Sequence, residues 1–177
     1  MIDKKVSTLY LSTSMINTTA NQAAASSAVG YWTGGRQQFG FYVKMRQLLG
    51  TSYDKYDKFV ISLTNFWAYN ESNMTNGIPI EHHIGGLNWI DSAYDQVDRA
   101  NTYWAPLMVN NYGSGATGVL ATTYTLGDKA YIFRKPQNEE LLEFRCINPL
   151  TGAPSAPSTN TLPTFVMEFK IYPLIEN

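Results

Sequence analysis

A chain of 177 residues is most simply one domain, and at that length folding hides roughly 70% of the surface an unfolded chain exposes, so no covalent staple is required. Thirteen Lys and Arg against 14 Asp and Glu give a net charge of −1, which excludes the cation excess that non-specific nucleic-acid binding needs. The lone Cys146 excludes an internal disulfide framework, and charged residues at 15% beside aromatics at 14% suit a surface made for protein neighbours.

The opening Met1-Ile2-Asp3-Lys4-Lys5-Val6 holds no apolar run of signal-peptide type, and no stretch approaches the roughly 18 consecutive apolar residues of a membrane span. Folding in a reducing cytosol and no membrane insertion are the expectations. Val6 to Leu11 reads as a first strand. The polar segment 12–35 follows, expected as an ordered excursion or as an N-terminal arm laid on a neighbour.

From Phe39 the apolar side chains fall on odd positions, Phe39, Phe41, Val43 and Met45, and this two-residue period predicts a strand with one buried face. A turn at Gly50 and a charged corner, Tyr53 to Lys58, lead to a second strand carrying Phe59, Ile61 and Leu63 and running on to Tyr69. Ile78 to Ile84 and Gly85 to Ile90 come next, and 92–102 reads as a short helix or irregular loop.

Tyr103 to Val109 contains Pro106, which predicts an edge or bent strand. Leu120 to Leu126, Ala130 to Arg134 and Leu141 to Cys146 alternate, with a turn at Gly127-Asp128. The stretch 148–163 carries four prolines and reads as a long loop. The last strand alternates most cleanly, Phe165, Met167, Phe169 and Ile171 facing one way, and Pro173 ends it. About eight strands with no long helix predict an all-β fold: a single eight-stranded antiparallel jelly-roll sandwich over 1–177 with long loops and the arm.

Several patterns invite chemistry. Gly113-Ser114-Gly115-Ala116-Thr117-Gly118 has the spacing of a dinucleotide fingerprint, but a β-prone run follows where the mechanism needs a helix, so a loop is the better reading. Glu81-His82-His83 suggests a metal, yet adjacent residues of an extended segment point to opposite faces and no third histidine exists. An ordinary polar loop or strand end is expected there. Asp91, Asp95 and Asp98 lack the spacing of a calcium loop and read as a solvated acidic face. Cys146 shares the inferred core face with Phe144 and reads as a buried structural thiol. The sequons at Asn17, Asn70 and Asn73 are discounted for want of a signal peptide. No catalytic set and no cofactor are expected.

Met45-Arg46-Gln47-Leu48-Leu49-Gly50-Thr51-Ser52-Tyr53-Asp54-Lys55-Tyr56-Asp57-Lys58-Phe59 resembles the corresponding stretch of small jelly-roll capsid proteins of nucleocytoplasmic large DNA viruses. Leu49, Gly50, Tyr53, Asp54, Lys55, Tyr56, Asp57 and Phe59 carry the motif. Further similarity lies in Gly86 to Asp95, in Phe133-Arg134-Lys135-Pro136 and in Phe169-Lys170-Ile171-Tyr172-Pro173; the segment before Arg36 is outside it.

The resemblance implies a penton or minor capsid subunit. The major capsid protein of those viruses carries two jelly rolls in a longer chain, whereas 177 residues hold one, which favours a homopentamer at the five-fold vertex. Expected partners are copies of the chain and neighbouring major or minor capsid proteins, with no direct nucleic-acid contact. The expected location is the virion, after synthesis in the host cytoplasm. The alternatives are a minor protein beneath the shell, and a carbohydrate- or receptor-binding head that stacks sugars on Trp32, Trp67, Trp89 or Trp104. An enzyme at His82 or His83 is the remaining option.

Overall fold

The computed structural model describes residues 5–16, 24–27, 29–33, 38–69, 79–90, 104–111, 119–148, 150–153 and 165–175. The strands are β1 (Ser7–Ser12), β2 (Ala24–Ser26), β3 (Gly30–Thr33), β4 (Gln38–Val43), β5 (Lys58–Tyr69), β6 (Pro79–Gly85), β7 (Ala105–Asn111), β8 (Val119–Thr123), β9 (Ala130–Arg134), β10 (Glu140–Ile147) and β11 (Phe165–Pro173). Two short helices, α1 (Met45–Leu49) and α2 (Thr51–Lys55), lie between β4 and β5.

All the pairings are antiparallel. One sheet runs β1-β11-β5, and along the free side of β5 lie β9, against Lys58–Ser62, and β8, against Asn65–Tyr69. Those two stretches occupy a single strand position, interrupted by the turn at Leu126–Lys129. The other sheet runs β2-β3-β4-β10-β6-β7. Counting β8 with β9 once and setting aside the added β2–β3 hairpin leaves eight positions, four in each sheet, with the first and last strands paired. This is jelly-roll connectivity.

The strands form where alternation predicted them. In β11 every second side chain is buried, and Phe165, Phe169 and Ile171 are wholly enclosed. Phe39, Phe41 and Val43 of β4 and Leu142, Phe144 and Cys146 of β10 oppose them from the second sheet. Phe39 stacks on Phe144 at 5.4 Å, and the contacts Phe39–Phe165 (5.8 Å) and Phe144–Phe169 (6.1 Å) cross between the sheets. Each such ring contributes on the order of 1.5–3 kcal/mol by leaving water.

Three departures from the sequence reading have physical causes. The predicted strand through Met45 stops at Val43, because Met45 begins a helix in which Met45 and Leu49 lie one turn apart and are both buried. The polar corner that follows is the helical turn α2, not a simple strand reversal.

In β5 the register slips opposite Glu168 and Phe169, leaving Thr64 as an extra residue that switches the inward set from Phe59, Ile61 and Leu63 to Phe66. The Thr64 hydroxyl lies 3.1 Å from both the Glu168 carbonyl and its carboxylate and donates to either.

Where described, the segment 12–35 contributes two strands to the sandwich. β2 and β3 extend the second sheet beyond β4, and Trp32 is buried. Most of 148–163 lies outside the described residues.

Candidate functional site

The stretch that carries the resemblance forms a helical corner at one end of the sandwich. Gly50 joins α1 to α2 with φ +56°, a conformation that suits glycine. Its N–H donates to the Arg46 carbonyl at 3.0 Å, and its own carbonyl accepts from the Tyr53 N–H at 3.1 Å. Leu49, Tyr53 and Phe59 point inward, while Asp54, Lys55 and Asp57 are exposed and Tyr56 packs at the core margin.

The Tyr53 hydroxyl donates to the Pro136 carbonyl at 2.9 Å. Its ring lies beneath the Lys135 ammonium at 4.9 Å and the Arg46 guanidinium at 5.7 Å. Arg46 also pairs with Asp54 at 3.4 Å, an exposed contact of little energetic weight. Phe59 stacks on Phe133 at 5.9 Å.

All four stretches singled out in the sequence meet at this end. Phe59 is the register partner of both Phe133 and Pro173, and Trp89 bridges to Phe133 and packs edge-on against it. Backbone bonds complete the seam: Lys135 N–H to Asp57 carbonyl (2.7 Å), Arg134 N–H to Asn88 carbonyl (2.8 Å) and Leu174 N–H to Lys58 carbonyl (2.9 Å). The motif residues therefore hold the corner to the β9–β10 connection and to the end of β11. Their chemistry is packing and hydrogen bonding.

His82 and His83 are not in a polar loop or at a strand end; both are buried within β6. They point to opposite sides, as alternation requires. His82 faces the core, with Nδ1 3.4 Å from Cys146 Sγ and its ring 5.0 Å from Phe66 and 5.1 Å from Phe165. Burial, and then the charge of His83, lower the His82 pKa to about 3. Burial pushes the Cys146 thiol up to about 12, so the buried-thiol reading stands and the sulfur is no nucleophile.

His83 faces outward to Arg145 Nη2 at 3.2 Å and Glu81 Oε1 at 3.2 Å, and the Arg145 guanidinium lies 4.4 Å from the Trp104 ring centre. Tyr131 reaches from the first sheet to donate to the Pro106 carbonyl in β7. Burial, and then the nearby Glu81 charge, raise its pKa.

Among the described residues, no group of three or more His, Cys, Asp and Glu side chains converges as a metal set. An open groove of about 380 Å3 between β1 and β4 is lined mainly by Leu9, Leu11, Met15, Val29 and Phe41 and presents one charged side chain, Lys44. Trp32 and Trp104 are buried and unavailable for sugar stacking; Trp67 and Trp89 are partly buried. Asp91, Asp95 and Asp98, the Gly113–Gly118 run and the three sequons lie outside the described residues.

The sequence reading missed the polar group on the outer face of β3, β4 and β10. Tyr31 donates to Glu143, and the Gln38 amide donates to the Tyr31 oxygen at 2.8 Å and to Glu143 at 2.9 Å. Gly40, a glycine within the predicted strand, is the signal that marks it, since its missing side chain leaves room for the Tyr31 ring to cross.

No protein-family model matches the chain, and no curated protein matches it. A solved structure that it is similar to is the cryo-EM structure of giant freshwater prawn Macrobrachium rosenbergii extra small virus (XSV) VLP, at 7% identity and a TM-score of 0.33, covering 99% of this chain and 83% of that chain. A TM-score of 0.33 carries no weight for function, and the jelly roll is read from the strand order itself.

Proposed function

We propose that this chain is a structural capsid subunit: one jelly roll that works by fitting beside copies of itself and neighbouring shell proteins, without catalysis or a cofactor. The observation that carries the reading is the use to which the motif residues are put. Tyr53 and Phe59 lock the helical corner to two distant stretches of chain, 133–136 and the end of β11, which is what a rigid building block needs. Jelly rolls serve capsids, lectins and cupins alike, so fold alone does not choose among them. The buried Trp32 and Trp104 count against a sugar platform, and the histidines engaged on opposite sides of β6 count against a cupin-like metal centre.

In its finer form the proposal is a homopentameric penton at the five-fold vertices of a large icosahedral DNA virus, as the sequence resemblance implies. Identical neighbours then meet through a heterologous interface that closes because the rotation is five-fold. The partners are other copies and the surrounding major or minor capsid proteins, and the location is the virion after synthesis in the host cytoplasm.

Native mass measurement of the purified chain tests this. A closed particle of five copies supports the penton. A monomer that persists with and without candidate shell partners overturns the assembly reading.

A further inference from the structure

His82 places an imidazole in the layer between the sheets, where the inward side chains of β4 and β11 are apolar and β10 adds only the Cys146 thiol. Its Nε2 is buried with no hydrogen-bond partner, and Phe165 meets the ring edge-on at 85°. We propose that His82 is an acid-sensitive latch: its ring takes a proton only where the two sheets part, so acidification favours the opened chain over the packed subunit.

Among the described residues the charged form has no counter-ion. A proton from solvent adds to the bare ring nitrogen, giving an imidazolium with two N–H donors. Cys146 Sγ is a weak acceptor for one of them. Phe66 on β5 and Phe165 on β11 offer the other no oxygen or nitrogen acceptor.

The charged groups nearby belong to the outer side of the sheet. Arg145 on β10 faces His83, and Glu81 on β6 approaches His83 Nε2 at 3.2 Å. The neighbouring His83 further disfavours a positive charge at His82. An ion in so dry a site costs several kcal/mol unless the packing opens.

The direction of the effect follows. Above the unfolded value of 6.5 the ring is neutral in both states and contributes no pH dependence. As pH falls from 6.5 toward about 3, the unfolded chain takes a proton that the folded chain refuses, so stability falls. The folding equilibrium constant drops by up to about tenfold per pH unit in that window.

The test is denaturant unfolding of the full chain and of His82→Phe at pH 7, 6 and 5. The native chain is expected to lose about 25-fold more of its folding constant than the variant between pH 7 and 5. Parallel profiles overturn the latch. Imidazole NMR of the native chain gives an answer even where the variant fails to fold, because only two histidines are present. The His82 ring, identified by its contacts to Phe66 and Phe165, is expected to stay neutral at pH 5; titration near 6.5 overturns the proposal.

Discussion

Tyr31 passes over Gly40. The two are register partners in β3 and β4, and Gly40 is in turn paired with Glu143 in β10, so the Tyr31 ring crosses an entire strand to donate to the Glu143 carboxylate. A Cβ on Gly40 would sit 2.5 Å from Tyr31 Cε1, a distance at which the ring must move. The missing side chain allows the β2–β3 hairpin to be fastened to the sheet by its outer face, a device that also covers a strand glycine with an aromatic ring.

Gly40→Val is therefore expected to destabilise the chain by roughly 1–3 kcal/mol, although valine favours strands, because it displaces the ring and breaks the bond to Glu143. Combining it with Tyr31→Ala should recover part of the loss. Urea denaturation of the single and double variants measures the coupling. Additive effects would mean that the crossing contributes nothing.

Gly86 and Gly127 both have positive φ, +91° and +100°, but differ in surroundings. A Cβ at Gly86 would overlap the Leu141 carbonyl, which is backbone of the neighbouring strand, whereas nothing lies within 4 Å of one at Gly127. Gly86→Ala should cost about 3 kcal/mol or more and yield little soluble protein. Gly127→Ala should cost only the conformational strain, about 1 kcal/mol. Thermal unfolding of both variants decides whether space or conformation matters more.

At the corner, Tyr53→Phe removes the donor to the Pro136 carbonyl and is expected to cost about 1 kcal/mol. Phe59→Ala leaves a cavity beside Phe133 and should cost about 3–5 kcal/mol. If the seam is one cooperative unit, Phe59→Ala and Phe133→Ala together will cost less than their sum. Guanidinium denaturation midpoints of the three variants would show this.

Cys146 should resist thiol reagents at pH 8 in the folded chain, because burial raises its pKa to about 12 and closes access. Labelling is expected only as fast as the chain opens, and to become rapid in denaturant. Fast labelling of folded protein would place the thiol at the surface.

Much of the sandwich was legible in the chain because alternation is local. A residue's position in a period of two states which way it points once the segment is extended, and that was enough for β4, β10 and β11 and for the buried place of Cys146. The resemblance stretches could be marked as a motif in the same way. That they meet around Phe59 and Phe133 could not be read, since the contacts join residues more than forty positions apart.

What the sequence determined by itself was the class of fold and the inward faces, because backbone geometry imposes the two-residue period on any strand. Tertiary structure decided the rest. Met45 fits both a strand period with Val43 and a helical one with Leu49, and only packing chose the helix. Thr64 becomes a bulge because β11 sets the register of β5, and Trp32 joins the core because β3 finds β4. His82 and His83 look alike in the chain, yet one meets Phe66 and Phe165 and the other Arg145 and Glu81. Burial and partners depend on which distant strands lie alongside, and no local pattern encodes that.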